Sequence, residues 1–274
     1  MHELHNRAQA AGITAIVGLG ASPGITSMLA ARARAELDRT DELVAGWNIE
    51  EDAGGDDRLS YSAATVHWMQ QCSGTILECD QGKLVEHQPL LDVALEYPGR
   101  GTRIVYTVGH PEPVSFHYSF PDLPRSFCVM VMPGAWIGNF RSLANRIDRG
   151  QLSLEEAAQV LAESSSQDDP DDTLPADSPR LPLFFALATG LKDGRPARVA
   201  TSIKSIPPGM ANATGIPLAL GTRLVLQGRV ASKGVIAPEI AFKSEEFFQL
   251  LAPYCTFPAP LPVPELIEVV VGQG

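Results

Sequence analysis

Two short stretches hold residue types whose order could do chemistry. The first is Gly18-Leu-Gly20-Ala-Ser22-Pro23-Gly24, which follows the apolar run Ile13 to Val17. Gly18 and Gly20 let the backbone turn tightly and approach a ligand closely. Ser22 is a residue type that caps helices, and Pro23 suits a first helical position. Strand, glycine turn and helix N-terminus together supply the local physics of an anion or cofactor site. The second stretch is Gly109-His110-Pro111-Glu112-Pro113, leaving the alternating run Arg103 to Val108. A histidine there can exchange a proton with a 2-oxo or amino acid, and a carboxylate can hold an amino group. The same residues also fit a rigid corner with a surface glutamate and a hydrogen-bonded histidine, so the pair by itself leaves both readings open.

Other chemistries find no support in the spacing. The first stretch reads Gly-x-Gly-x-x-x-Gly, looser than the dinucleotide fingerprint, which also wants an acid about 20 residues further on. Glu50 and Glu51 stand about 30 positions past Gly20. No Ser/His/Asp elbow and no metal-ligand spacing occurs. Cys72, Cys79, Cys128 and Cys255 are scattered without a C-x-x-C pair and fit reduced thiols of a cytoplasmic protein. His67 reads as a packed or surface histidine. Arg141 and Arg146 could recognise carboxylates, but they sit on a helix-like polar face and read as solvent contacts.

The elements that must position these residues follow from periodicity and turn chemistry. Residues 1–11 read as the tail of a helix. Ile13 to Val17 predicts a buried parallel strand, and Met28, Leu29 and Ala33 predict an amphipathic helix after the glycine turn. Glu42 to Ile49 and Phe127 to Met132 are strand-like, and Ser60 to Cys72 has helical spacing. Asp80-Gln81-Gly82 and Lys192-Asp193-Gly194 signal hairpins, and Ser153-x-x-Glu156 is a capping box. Met210 to Leu226, apolar on most sides, predicts a helix packed inside the protein; Ser244-Glu-Glu opens another, and Leu266 to Val271 reads as a terminal strand. Ser164 to Pro179 has the composition of a mobile acidic loop. The fold class expected is α/β plus α+β. Residues 1–40 form the strand-turn-helix end of a Rossmann-like domain, and 41–274 a mixed or antiparallel sheet with helices for substrate binding and dimerisation, carrying the mobile loop at 163–180.

Composition narrows the partners. The chain has 274 residues, 45% of them apolar and 19% charged, as in an ordinary globular protein. Its net charge of −11 is concentrated: Glu50 to Arg58 carries −4 and Glu163 to Arg180 carries −5. No basic face is left for a phosphate backbone, so nucleic acid is excluded as a partner. No apolar run is long enough to span a bilayer, which excludes a membrane helix, and the first residues carry no signal-peptide pattern.

Taken together, three ordered stretches resemble the saccharopine dehydrogenase family of reductases. They are Ala8-Gln-Ala-Ala-Gly12 leading into Gly18 to Gly24, Tyr106 to Pro113, and Thr214-Gly-Ile-Pro217 through Pro238-Glu239. The resemblance implies NAD- or NADP-dependent reduction of an imine between an amine and a 2-oxo acid, or the reverse. It implies that Gly18, Ser22, His110 and Glu112 face an amino-acid-like small-molecule substrate. Gly20, Pro23 and Gly24 would face the cofactor, while the nucleotide fingerprint lies in an upstream segment that this chain lacks. A homodimer through the sheet is implied as well. Within the same resemblance, polyamine-forming reductive condensation stands as an alternative, and a non-catalytic dimerisation or regulatory module as another.

Overall fold

The computed structural model describes residues 2–51, 61–165, 180–230 and 232–273. Both acidic segments therefore lie largely outside the described residues, and with them the expected mobile loop.

The chain opens with a short helix α1 (His5–Ala10) and strand β1 (Thr14–Ile16). The glycine turn follows, and then helix α2 (Ile25–Arg34), whose Ile25, Met28, Leu29, Ala30 and Ala33 are wholly buried. The helix starts two residues later than Pro23 would place it. Gly24 occupies the cap position, and Ser22 makes no capping bond. Strand β2 (Arg39–Asn48) comes next and is buried on both sides from Leu43 onward in alternation: Leu43, Ala45 and Trp47 join the core beneath the helices, and Val44 the core on the opposite face.

Helix α3 (Ala63–Gln71) is capped by Ser62, whose side chain accepts from Thr65 N while Thr65 accepts from Ser62 N. β3 (Ile76–Asp80) and β4 (Lys83–His87) form the first expected hairpin, with Gln81 and Gly82 both at positive φ. A second hairpin, β5 (Asp92–Tyr97) with β6 (Gly101–Val108), is only half visible in the sequence. The stretch after β6 is not a loop. Glu112 opens helix α4 (Glu112–Ser119), with Pro111 at its cap. A carboxylate in the first turn suits the helix dipole, and a proline there costs no hydrogen bond.

Strand β7 (Arg125–Val131) runs parallel to β2 and is followed by α5 (Trp136–Asp148) and α6 (Leu154–Ser165). The Ser153/Glu156 capping box forms as expected, at 3.1 and 2.8 Å. β8 (Phe184–Lys192) and β9 (Arg195–Ile203) make the hairpin signalled by Asp193-Gly194. Helix α7 (Met210–Leu226) has the expected bounds, but it lies at the surface. Ala213, Pro217, Leu220, Gly221 and Leu224 form its buried stripe, while Met210, Leu218 and Leu226 are exposed. The chain closes with β10 (Gly234–Ile236), α8 (Pro238–Ala241), α9 (Ser244–Leu251), α10 (Val263–Leu266) and β11 (Ile267–Gln273).

These strands build a mixed nine-stranded sheet in the order β11-β9-β8-β2-β7-β3-β4, with β6 beside β7 and β5 beside β6. β1 and β10 pair separately and in parallel. The architecture is thus mixed α/β, as expected. α2 packs centrally on the sheet, where Thr201 Oγ1 donates to Leu29 O at 2.8 Å. Ala21 and the buried residues of α2 therefore share one continuous core with the sheet. The opposite face of the sheet is covered from within. β6 leaves β7 after residues 106–108, and the hairpin tip reaches β11, where Pro98 packs against Gly272 and Arg100 pairs with Glu268. Leu95, Tyr97 and Val105 bury Val44, Phe127, Val129, Phe185 and Leu187, and Tyr97 meets Phe185 edge-on at 5.6 Å. The hairpin therefore covers this apolar face of the sheet within the chain. Among the described residues, no helix is long and apolar enough to cross a membrane.

Candidate active site

The two stretches singled out by residue type meet in space. α2 carries Thr26 one turn beyond Ser22, and α4 turns Glu112 inward against both. Ser22 Oγ donates to Glu112 Oε1 at 2.6 Å, and Thr26 Oγ1 donates to the same oxygen at 2.7 Å. On the other oxygen, Oε2, His110 Nδ1 makes a short bond and Cys128 Sγ of β7 lies 3.8 Å away. Trp47 of β2 packs against the His110 ring at 4.7 Å, and His67 of α3 meets it edge-on at 5.8 Å. His67 keeps an exposed edge, while Glu112 is completely buried and His110 is 9% exposed.

Burial of this depth would push the Glu112 carboxyl upward in pKa. The charge of His110 and hydrogen bonds from His110, Ser22 and Thr26 outweigh it and bring the value down to about 2. Glu112 is therefore an anion at neutral pH. An ionised carboxylate can only accept, so the His110 proton sits on Nδ1 and the other ring nitrogen, Nε2, is left to accept or release one. In this arrangement Glu112 can orient the ring, and Nε2 is the atom through which His110 could exchange a proton. Desolvation, together with the charge of His110, holds His67 below the ordinary histidine range, so it stays neutral beside the dyad.

A second buried carboxylate lies close by. Glu239 of α8 accepts from Ser119 Oγ of α4 at 2.8 Å, and its Oε2 finds no partner among the described residues. Burial raises its pKa, and the Glu112 charge adds to the effect. Two carboxylates in one neighbourhood are thus shifted in opposite directions, Glu112 downward and Glu239 upward.

The glycine loop earns its glycines from itself. Gly24 has φ +134°, and a Cβ there would lie 2.1 Å from Gly20 O; a Cβ on Gly18 would lie 2.8 Å from Pro23. Gly20 N–H donates to Pro23 O, Ile25 N–H to Gly20 O and Thr26 N–H to Ala21 O. Those three amides are spent internally and are not free for a pyrophosphate. Gly20, whose amide is spent, and Pro23, which has none, offer no N–H to a phosphate. They shape the turn that aims Ser22 at Glu112.

Sequence reasoning brought out Ser22, His110 and Glu112, but placed Glu112 on an exposed loop and gave Ser22 a capping role. It missed Thr26, Trp47, Cys128 and Glu239, and set His67 aside. A serine and threonine at i and i+4 around a helix start are the only local signal, since the rest depends on strand pairing. Arg141 bonds Leu90 O and Asp92 on its own surface, and Arg146 is exposed, so neither reaches the dyad. A cavity of about 450 Å³, lined in part by Arg100, Arg180, Lys204 and Phe257, lies elsewhere and includes none of the dyad residues.

No family model matches the sequence, and no curated protein sequence matches it. Among solved structures, the chain is similar to an apo, histidine-tagged saccharopine dehydrogenase (L-Glu forming) from Saccharomyces cerevisiae. The two share 14% identity at a TM-score of 0.55, over 98% of this chain and 76% of that one. At that identity the likeness is one of fold alone.

Proposed function

We propose that this chain provides the substrate-side, proton-handling wall of a saccharopine dehydrogenase-like oxidoreductase. Its substrate would be an amino-acid/2-oxo-acid adduct, joined or cleaved at a carbon–nitrogen bond. The observation that carries the reading is the buried His110–Glu112 dyad, in a fold like that of saccharopine dehydrogenase. His110 gives a proton to the substrate nitrogen or takes one from it through Nε2. Glu112 fixes the ring and stabilises its charged form, and Ser22 and Thr26 pin Glu112. Trp47 and His67 flank the ring and limit the water around it. The resemblance assigns the redox equivalents to NAD or NADP. The Gly20, Ile25 and Thr26 amides are not free for its pyrophosphate, and the chemistry derived from this chain stops at proton transfer. Self-association belongs to the same proposal, and the unpaired edge of β11 is the surface available for it.

Titration calorimetry tests the reading. Saccharopine should bind the wild-type chain and bind His110→Ala more weakly, whereas NAD and NADP should bind weakly or not at all. A nucleotide dissociation constant in the range of about 1 μM would make Gly18–Gly24 a true nucleotide turn after all. Absence of binding by saccharopine, glutamate and 2-oxo acids alike would overturn the substrate class.

A further inference from the structure

The dyad has a third member that proton transfer does not use. Cys128 is wholly buried on β7, and its thiol points at the same Glu112 oxygen that His110 holds. A thiol is a weak donor, and 3.8 Å is a poor bond for a core residue to be placed for. His110, Glu112 and Cys128 each turn one donor atom to a common point, all within 4.8 Å of one another. The sulfur–oxygen separation is close to the edge of a tetrahedral zinc site, roughly 3.5 Å for bonds of about 2.3 and 2.0 Å.

We propose that His110 Nδ1, Glu112 Oε2 and Cys128 Sγ form a binding site for a thiophilic divalent cation of the zinc type. Three further features favour it. The outer oxygen of Glu112 is already fixed by the Ser22 and Thr26 hydroxyls, so the shell that orients a ligating carboxylate is built in. A further carboxylate, Glu78, also acts on Cys128. Arg103, the one buried arginine or lysine among the described residues, is paired with Glu50. Imidazole, thiolate and carboxylate together suit zinc and do not suit magnesium or calcium, which take oxygen ligands.

Binding balances in charge and protons. The Cys128 thiol proton leaves to solvent, and the Nδ1 proton of neutral His110 is replaced by one on Nε2. The two positive charges of the ion are then met by one thiolate and one carboxylate. Three protein ligands leave a fourth position for water or a substrate heteroatom. The ion and the Nδ1 proton compete for the same nitrogen, so the loaded state is one in which His110 no longer pairs with Glu112. The site does not depend on the proposed reaction, since the ligand geometry stands whether or not the dyad is catalytic.

Cobalt(II) provides the probe because its thiolate complexes absorb in the near ultraviolet. One equivalent added to the purified full chain should give a thiolate-to-cobalt charge-transfer band, displaced by zinc. The band should vanish in Cys128→Ser and persist in Cys79→Ser. Thr26→Ala, which keeps all three ligands, should weaken zinc binding by about 10- to 100-fold in calorimetry. No charge-transfer band in the folded wild-type chain overturns the proposal without recourse to any variant. So does a band that survives Cys128→Ser. Either result leaves the proton-transfer reading untouched, because none of these readouts measures activity.

Discussion

Glu112 and Glu239 are both buried glutamates near α4, yet replacing each with glutamine should have opposite effects. The folded chain holds Glu112 at about 2 against an ordinary 4.5, which corresponds to about 3 kcal/mol favouring its ionised form. Glu112→Gln can keep its oxygen as acceptor for Ser22 and Thr26, but its amide then presents N–H groups to His110 Nδ1. The lost charge-assisted bond is worth about 1.5–3 kcal/mol, so the two routes agree. For a chain of this size that predicts a fall in melting temperature of roughly 5–10 °C at neutral pH. Glu239 is the reverse case, because burial favours its protonated form and its Oε2 is unpartnered. Glutamine mimics a neutral acid, so Glu239→Gln should melt at or above the wild-type temperature.

The pH dependences differ in sign as well. The contribution of Glu112 is complete above about pH 4.5 and is lost as pH falls toward about 2, so Glu112→Gln should flatten the acid limb of stability. The contribution of Glu239 is complete below its ordinary value and is lost as pH rises through its raised folded value. Glu239→Gln should therefore gain on wild type as pH increases. Thermal melts followed by circular dichroism across that range check both. If Glu112→Gln melted within about 1 °C of wild type at neutral pH, the charged network around it would not exist as described.

Three further outcomes follow from the same geometry. In an assay that turns over substrate, His110→Ala should lower kcat/KM by about 100- to 10,000-fold; near-normal kinetics would leave the dyad a structural pair. Gly24→Ala should abolish soluble folded protein, since its Cβ would lie 2.1 Å from Gly20 O, whereas Gly215→Ala, open on α7, should be neutral or stabilising by up to about 1 kcal/mol in denaturant melts. Light scattering should give a dimer, lost when Val271→Lys is placed at an exposed position of β11; a wild-type mass near 29 kDa would refute self-association.

What the sequence determined alone is what short-range physics determines. Gln81-Gly82 and Asp193-Gly194 produced their hairpins because positive φ is a property of the turn itself. Ser153 and Glu156 capped a helix because the bonds close within three residues. The bounds of α7 followed its composition, and the residue types at Ser22, His110 and Glu112 marked the right places. The tertiary structure decided what those residues face. Ser22 meets a carboxylate 90 positions away instead of its own helix, and β1 pairs with a strand more than two hundred residues on. α7 exposes one side because only one side finds neighbours, and the apolar sheet face is closed by the β5–β6 hairpin, whose reach depends on sheet twist and strand order. Cys128 joins the dyad solely through the pairing of β6 with β7. Periodicity states which residues want burial, but a contact between distant residues is set by register and crossover, and no local pattern encodes those.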